Sequence, residues 1–334
     1  MGSEMCIRDS EGRLECRGLV DGASRWQVDT FAVFHVVRNF FGVGTAPLVV
    51  DTAEGRLVVV QVGGSRPGGT PPSPERLDLV KGLDSGLVAF DLATGIERWR
   101  SSDQLASYST PVRATLDGRE RLLAWMRDRL LVVDPATGGV QADVRWRATE
   151  LFSVVAASPV VAGSEILLSE TYGPGSVLLT VTAAGLQTVR QDAVGSRPAR
   201  SLKSHWATPV LHDGHLYGSS GRNAGDAMLV CADWKTGAIR WSEAGLGRSS
   251  LVSADGHLIV LGEFGELLLV KATPDAYDEV SRVRLVDPAA AGQDRDASLL
   301  VAPCWAAPAV ARGYLYVRGQ GRVVCLDLLP TDTK

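Results

Sequence analysis

Apolar runs of about four to eight residues alternate with short Gly-, Pro- and Asp-containing segments along almost the whole chain. That is the pattern of β-strands joined by tight turns. The sharpest instance is Leu87–Trp99, LVAFDLATGIERW: an apolar strand, a turn at Asp91-Leu92-Ala93-Thr94-Gly95, and a second strand ending on Trp99. The phrase returns at Leu229–Trp241 (LVCADWKTGAIRW), at Leu130–Ala142 with Ala142 in the Trp position, weakly at Val177–Val189, and near the start at Leu14–Trp26. Its first half closes the chain at Arg322–Pro330. A second phrase, a small residue and Pro followed by β-branched residues, marks Pro47, Pro111, Pro159, Pro209 and Pro308, with a Pro-less version at Leu251. Each copy runs through a Gly turn into another apolar run, as in LHDGHLYGSS (Leu211–Ser220), and reads as a hairpin.

Joined, the two phrases make a unit of four antiparallel strands: strand A, Gly turn, strand B, loop, strand C, Asp-x-x-Thr-Gly turn, strand D. Repeats of roughly 40–50 residues built this way predict the blades of a β-propeller. The expected fold class is therefore all-β, a β-propeller of four-stranded antiparallel blades. Six units begin near residues 46, 110, 158, 208, 250 and 307. The N-terminal half-unit brings the expected count to seven blades, with six or eight as alternatives. That half either completes the last blade or belongs to one of its own. A single domain is expected over residues 13–330, behind a disordered or artefactual leader at residues 1–12. Because the first element starts in mid-repeat, the N-terminus reads as truncated. Gln27–Gly44 has no clean period and is expected as a strand followed by a short helix or loop. A Pro/Gly-rich insertion, Gly63–Asp84, reads as a surface loop with a short helix at Pro74–Val80.

The repeated turn has a physical logic. Gly95, Gly138, Gly185 and Gly237 permit the positive φ of a tight turn. Asp91, Asp134 and Asp233 are placed to bind the turn backbone, and Thr94, Thr137 and Thr236 add a second oxygen. Trp26, Trp99 and Trp241 stand on the outermost strand, where a large flat side chain covers the gap between adjacent blades.

Composition changes this picture little. The 334 residues are 45% hydrophobic and 22% charged, with 36 Gly and 8 Trp, as suits a chain of strands and turns. A net charge of −4 predicts no nucleic-acid partner. No apolar run is long enough for a membrane span, and the first residues contain no signal-peptide apolar region. Among the five Cys, Cys16, Cys231 and Cys325 share one repeat position, two residues before the Asp slot, and read as small core hydrophobes. No CxxC pair and no metal-ligand spacing is present, so neither a disulfide framework nor a metal site is expected.

On AFDLATGIERW (Ala89–Trp99) and CADWKTGAIRW (Cys231–Trp241) the chain resembles the pyrroloquinoline quinone (PQQ)-like β-propeller family, with its tryptophan-docking repeat, over about residues 13–330. The family includes quinoprotein alcohol dehydrogenases, the lipoprotein of the outer-membrane β-barrel assembly machine, and many exported bacterial relatives. The dehydrogenases use an adjacent Cys pair and a calcium site, and this sequence has neither. The resemblance therefore implies the ring of blades without the cofactor: PQQ with calcium is not expected. It is nearest to the assembly-lipoprotein type, which implies a periplasmic or extracellular location that the sequence itself does not specify.

In such a blade the A–B and C–D turns lie on one face, and the B–C and D–A loops on the other. The second face collects unusual residues. Glu170, Tyr172, Arg222, Glu263 and Arg318 come from B–C loops, and Lys203, His205, Trp206, Arg248 and Trp305 from D–A loops. These ten are the candidate ligand contacts, because a rigid scaffold tends to carry binding residues on its loops. Mixed signs at Glu170, Arg222, Arg248 and Glu263 equally fit salt-bridged loops. No catalytic residue is assigned: no Gly-x-Ser-x-Gly elbow exists, and His205 is a lone candidate base. The leading expectation is a non-enzymatic binding or scaffold protein of the cell envelope that engages another protein or a small polar, sugar-like ligand. A PQQ-dependent or other small-molecule oxidoreductase, and a carbohydrate-binding propeller using Trp206 and Trp305, are the alternatives.

Overall fold

The computed structural model describes residues 4–68, 73–193, 197, 200–286 and 298–329. Its strands form seven antiparallel meanders, each in chain order. The first is β1 (Glu4–Arg8), β2 (Arg13–Gly18) and β3 (Ser24–Asp29). Helix α1 (Thr30–Phe34) follows, its first turn capped by the Asp29 carboxylate accepting from Ala32 N–H. The next sheet is β4 (Leu48–Thr52), β5 (Gly55–Gln61), β6 (Leu87–Asp91) and β7 (Glu97–Ser101). Then come β8 (Val112–Leu116), β9 (Arg119–Trp125), β10 (Arg129–Val133) and β11 (Val140–Arg145), and β12 (Val160–Ala162), β13 (Glu165–Glu170), β14 (Gly175–Thr182) and β15 (Gly185–Gln191). The fifth and sixth sheets are β16 (Val210–His212), β17 (His215–Ser220), β18 (Met228–Asp233) and β19 (Ile239–Glu243), and β20 (Ser250–Ala254), β21 (His257–Leu261), β22 (Glu266–Lys271) and β23 (Glu279–Arg284). The last is β24 (Ala309–Ala311), β25 (Tyr314–Gly319) and β26 (Arg322–Asp327).

The fold is a seven-bladed β-propeller. Among the described residues five of its sheets have four strands, and the first and last have three each. The N-terminal half-unit gains β1 as a partner for β2 and forms a blade of its own; it does not complete the last one. Residues 4–8, read from sequence as part of a disordered or artefactual leader, are thus a paired strand. The loop after β3 contains the short helix, and the Gly63–Asp84 insertion holds a 3-10 helix at Pro74–Leu79; its residues 69–72 lie outside the described residues. The chain groups into two compact units where one domain is expected over residues 13–330. One is Met1–Pro174 with Leu178–Val189, and the other Gly175–Val177 with Arg190–Lys334.

Strand alternation builds the core of each unit. In β5, Leu57 and Val59 join a cluster with Trp99, Leu122 and Leu131, while Val58 and Val60 join another with Leu14, Cys16 and Phe90. In β21, Leu258 and Val260 pack with Tyr217 and Trp241, and Ile259 and Leu261 with Leu315 and Val317. A strand buried on both faces reads as an unbroken apolar run, which is how the central strands look in the sequence. Cys16 and Cys231 are fully buried as expected, but Cys325 is exposed. It lies on β26, which among the described residues pairs only with β25 and so forms the sheet's edge.

The repeated turns hold together as their chemistry requires. Gly95, Gly138 and Gly237 have φ of 71°, 74° and 73°. Asp91 Oδ1 accepts from the N–H groups of Ala93 and Thr94 and from the Thr94 hydroxyl, and Asp233 Oδ1 accepts from Thr236 N–H and hydroxyl. Hydrogen bonds from Thr94 and Thr236 hold both carboxyls below the ordinary carboxylate range. The docking tryptophans end on main-chain carbonyls of the following turn. Trp26 Nε1–H donates to Leu92 O at 2.8 Å, Trp99 to Pro135 O at 3.1 Å and Trp241 to Thr273 O at 2.8 Å. Each turn glycine is needed twice over at these contacts. A Cβ on Gly95 would stand 2.6 Å from Trp26, and one on Gly138 2.5 Å from Trp99. Over Gly237 the indole is replaced by Arg190, whose guanidinium donates to Trp234 O at 3.1 and 3.2 Å.

Candidate functional site

Six of the ten candidate residues come together in the second unit: His205, Trp206, Arg222, Arg248, Glu263 and Trp305. Glu263 is the centre. It sits in the tight B–C loop between β21 and β22, its N–H bonded to Leu246 O and its carbonyl accepting from Cys304 N–H. These bonds tie it to the D–A loops on either side. Its side chain is almost wholly enclosed, the residue being 3% exposed. Oε2 accepts from both Arg248 N–H and Arg248 Nε–H at 3.0 Å, and Oε1 accepts from an Arg248 terminal nitrogen and from Trp305 Nε1–H at 2.9 Å. Burial opposes ionisation of Glu263, but these bonds outweigh it and hold the carboxyl below its ordinary value.

The aromatic part is built on that ion pair. The Arg248 guanidinium carbon lies 4.8 Å from the Trp206 ring centroid and 5.3 Å from that of Trp305. The two indoles meet edge to face at 5.4 Å, and His205 packs on Trp206 at 4.5 Å. Burial, reinforced by the positive charges of Arg248 and Arg222, pushes His205 down to about 4, so its ring is neutral at physiological pH. Arg222 is exposed and its backbone hydrogen-bonds His205. Trp305 is 46% exposed and Phe264, in the same loop as Glu263, is 48% exposed. A charge-neutralised guanidinium stacked on two indoles is thus rigid, with an aromatic rim open to solvent.

The other four candidates have contacts of their own. Lys203 is buried and held through its main chain, its N–H donating to Ser220 Oγ at 3.0 Å and its carbonyl accepting from Gly221 N–H. Burial lowers its amine from the ordinary lysine value. Arg318 lies on β25, one residue before its end, as an exposed residue with no hydrogen bond or ion pair to the cluster among the described residues. Glu170 and Tyr172 belong to the first unit. Glu170 closes β13 at 2% exposure; Oε2 accepts from Ala148 N–H at 3.2 Å, while Oε1 has no partner among the described residues. Burial pushes this carboxyl up to about 7, although Arg147 opposes the shift. Tyr172 meets the edge of Phe152 at 6.1 Å.

Two features escape sequence reading. Gly247 has φ 58°, and a Cβ there would stand 2.8 Å from Glu263 Oε2, so only glycine lets the carboxylate reach Arg248. Gln61, which looks like an exposed loop residue, is fully buried and clips neighbouring chain segments together. It donates to Ser109 O and Trp125 O and accepts from Ser107 N–H. Neither role has a local signal, since both depend on a distant loop.

In the second-unit cluster the carboxylate is taken up by its guanidinium, and the half-buried imidazole is neutral at physiological pH. Its indoles cross at 61°, with Arg248 against both, and so do not form a flat stacking platform. Among the described residues no group of three or more His, Cys, Asp or Glu side chains is placed to hold a metal ion, and no helix is long and apolar enough to cross a membrane.

Comparison with known proteins agrees with the repeat architecture. The family model described as outer membrane protein assembly factor BamB matches residues 2–243. No curated protein matches the chain. Among solved structures, BamB from Moraxella catarrhalis is similar with a TM-score of 0.65 at 16% identity, over 97% of this chain and 81% of that one. The computationally designed Ika8 protein is similar with a TM-score of 0.56 at 10% identity, over 98% of this chain and 81% of that one. At these identities the structural likenesses speak to the fold alone. The family match covers well over half of the chain, and with its docking repeats and seven blades the protein belongs to the outer membrane protein assembly factor BamB family, within the PQQ-like propellers.

Proposed function

We propose that this protein is a non-enzymatic scaffold of the cell envelope that binds another protein through the loop cluster around Glu263. The observation that carries the reading is Trp305: half exposed, yet fixed by its bond to Glu263 and by stacking on Trp206 and Arg248. A pre-ordered indole and guanidinium, rimmed by Phe264, are the residue types that dominate binding energy at protein interfaces. Little side-chain entropy remains to be lost on docking. Family membership supports the envelope setting and a role in outer-membrane protein assembly, which implies periplasmic exposure and a protein partner from that process.

The test is reconstitution with purified outer-membrane assembly subunits of the same organism, followed by size exclusion and calorimetry. Trp305→Ala and Arg222→Ala are expected to weaken the complex tenfold or more while leaving the circular-dichroism spectrum unchanged. A complex indifferent to both substitutions, or none at all, defeats this assignment.

A further inference from the structure

The register of five C–D hairpins aligns one position, the last pair before the bulge, which Ala142 holds opposite Val132 in the third sheet. Trp26 pairs with Cys16, Trp99 with Ala89 and Trp241 with Cys231, each at the last pair before the bulge. In the sixth sheet the same place, opposite Leu269 and before the bulge, is held by Ser281. Ser281 therefore occupies a docking-tryptophan slot without filling it. The receiving carbonyl can be identified as well. Leu92 and Trp234, whose carbonyls take Trp26 and Arg190, each donate their own N–H to a carbonyl of the adjacent A–B turn or strand, Arg56 O and Gly214 O. Leu328 donates to Gly313 O in the same manner, so Leu328 O stands where a docked indole would end. Between Ser281 and Leu328 lies an open cleft of about 290 Å³, walled chiefly by Ile259, Leu267, Leu269, Val283, Leu315 and Leu328. An apolar cavity of roughly 150 Å³ is already enough to take a benzene-sized group.

We propose that this cleft docks a tryptophan side chain presented by a partner polypeptide, a surface beyond the Glu263 cluster. The molecule itself supplies the chemistry, since three equivalent slots are filled by an indole that donates to a turn carbonyl. Where an Arg substitutes, at Arg190, a carboxylate accompanies it: Asp192 lies 3.6 Å away. Among the described residues the walls at Ser281 contain no Asp or Glu, and Arg282 is already paired with Glu279, so these walls suit a neutral indole better than a cation. A chain-borne indole is favoured over a free one because the apolar surface outruns the cleft. Val283 and Leu328 are about half exposed, and Leu329 continues the patch. A ring alone leaves them wet, whereas flanking backbone and side chains cover them.

The test uses the full chain with acetyl-Gly-Trp-Gly-amide as probe, acetyl-Gly-Ala-Gly-amide as control, and free indole. The Trp peptide is expected to shift the methyl resonances of Leu267, Leu315 and Leu328 saturably, and the Ala peptide to leave them unmoved. Ser281→Trp, which supplies the missing ring in cis, is expected to raise Tm and weaken peptide binding at least tenfold. Val283→Arg, on the exposed flank, gives a second variant should Ser281→Trp fail to fold, and is expected to weaken binding similarly. Equal binding to either folded variant, or no shift up to millimolar peptide, overturns the proposal. So does binding of indole without the peptide, which makes the cleft a small-molecule site. Self-association that protects the same methyl groups also overturns it, by making a second copy the occupant.

Discussion

At the scale of single residues the two enclosed carboxyls, Glu170 and Glu263, behave in opposite ways because their partners differ. Glu170 has one long amide bond and an oxygen without a partner among the described residues, and burial pushes it up to about 7. Glu263 is ringed by donors and is held below its ordinary value. Linkage converts this into opposite pH dependences. The Glu170 contribution is fully present below its unfolded value near 4.3 and is lost as pH rises through about 7; from the shift it amounts to roughly 3 kcal/mol. The Glu263 contribution is present above about pH 4.3 and is lost as pH falls through its depressed folded value. Urea denaturation across pH 3–9 checks both: Glu170→Gln should flatten the fall in stability between pH 5 and 8, and Glu263→Gln should flatten the fall on the acid side. If neither substitution alters the profile, these charges do not shape its stability.

At the scale of elements, the C–D hairpin is a self-contained device: Asp and Thr close the turn, Gly gives it positive φ, and the bulge aims a Trp at the next blade. The docking contact is testable directly. Trp99→Ala removes a buried indole and its bond to Pro135 O, and should cost about 3–5 kcal/mol in thermal or urea unfolding. Trp305→Ala, on an exposed loop, should cost about 1 kcal/mol. Similar losses at the two sites would show that the docking contact contributes little to stability. The hairpins were legible in LVAFDLATGIERW because every partner in the turn is within seven residues. The docking carbonyl was not legible, because Leu92, Pro135 and Thr273 lie 66, 36 and 32 residues from the indoles they receive.

At the scale of the whole molecule, seven short meanders of one design carry loops that share no design. Turnover is not expected from those loops: the half-buried His205 is neutral at physiological pH, and the Glu263 carboxylate is consumed by Arg248. A dye-linked dehydrogenase assay with added PQQ and calcium should therefore read at background; saturable turnover abolished by His205→Ala would replace the scaffold with an oxidoreductase. The ten loop residues chosen from sequence fared unevenly. Loop position alone selected them, and six fell into one cluster drawn from the loops before β16, between β17 and β18, before β20, between β21 and β22, and before β24. Lys203 and Glu170 turned inward and Arg318 stood apart, outcomes that depend on where neighbouring backbone lies.

What the sequence determined by itself is the repeating unit: alternating apolar runs that must be buried on both faces, and turns whose Asp, Thr and Gly act on their own backbone. These are local interactions, and from them follows the four-stranded blade; the count of seven, for which six and eight stood as alternatives, was decided by β1 pairing with β2 in a sheet of its own. Tertiary structure alone decided which side chains meet. It set Glu263 between Arg248 and Trp305, placed Gly247 where no Cβ fits, and left the Ser281 slot open beside Leu328. The physical reason is range. A hydrogen bond or a stacked ring acts over a few ångströms, and the residues it joins here are separated in the chain by 15 to more than 40 positions.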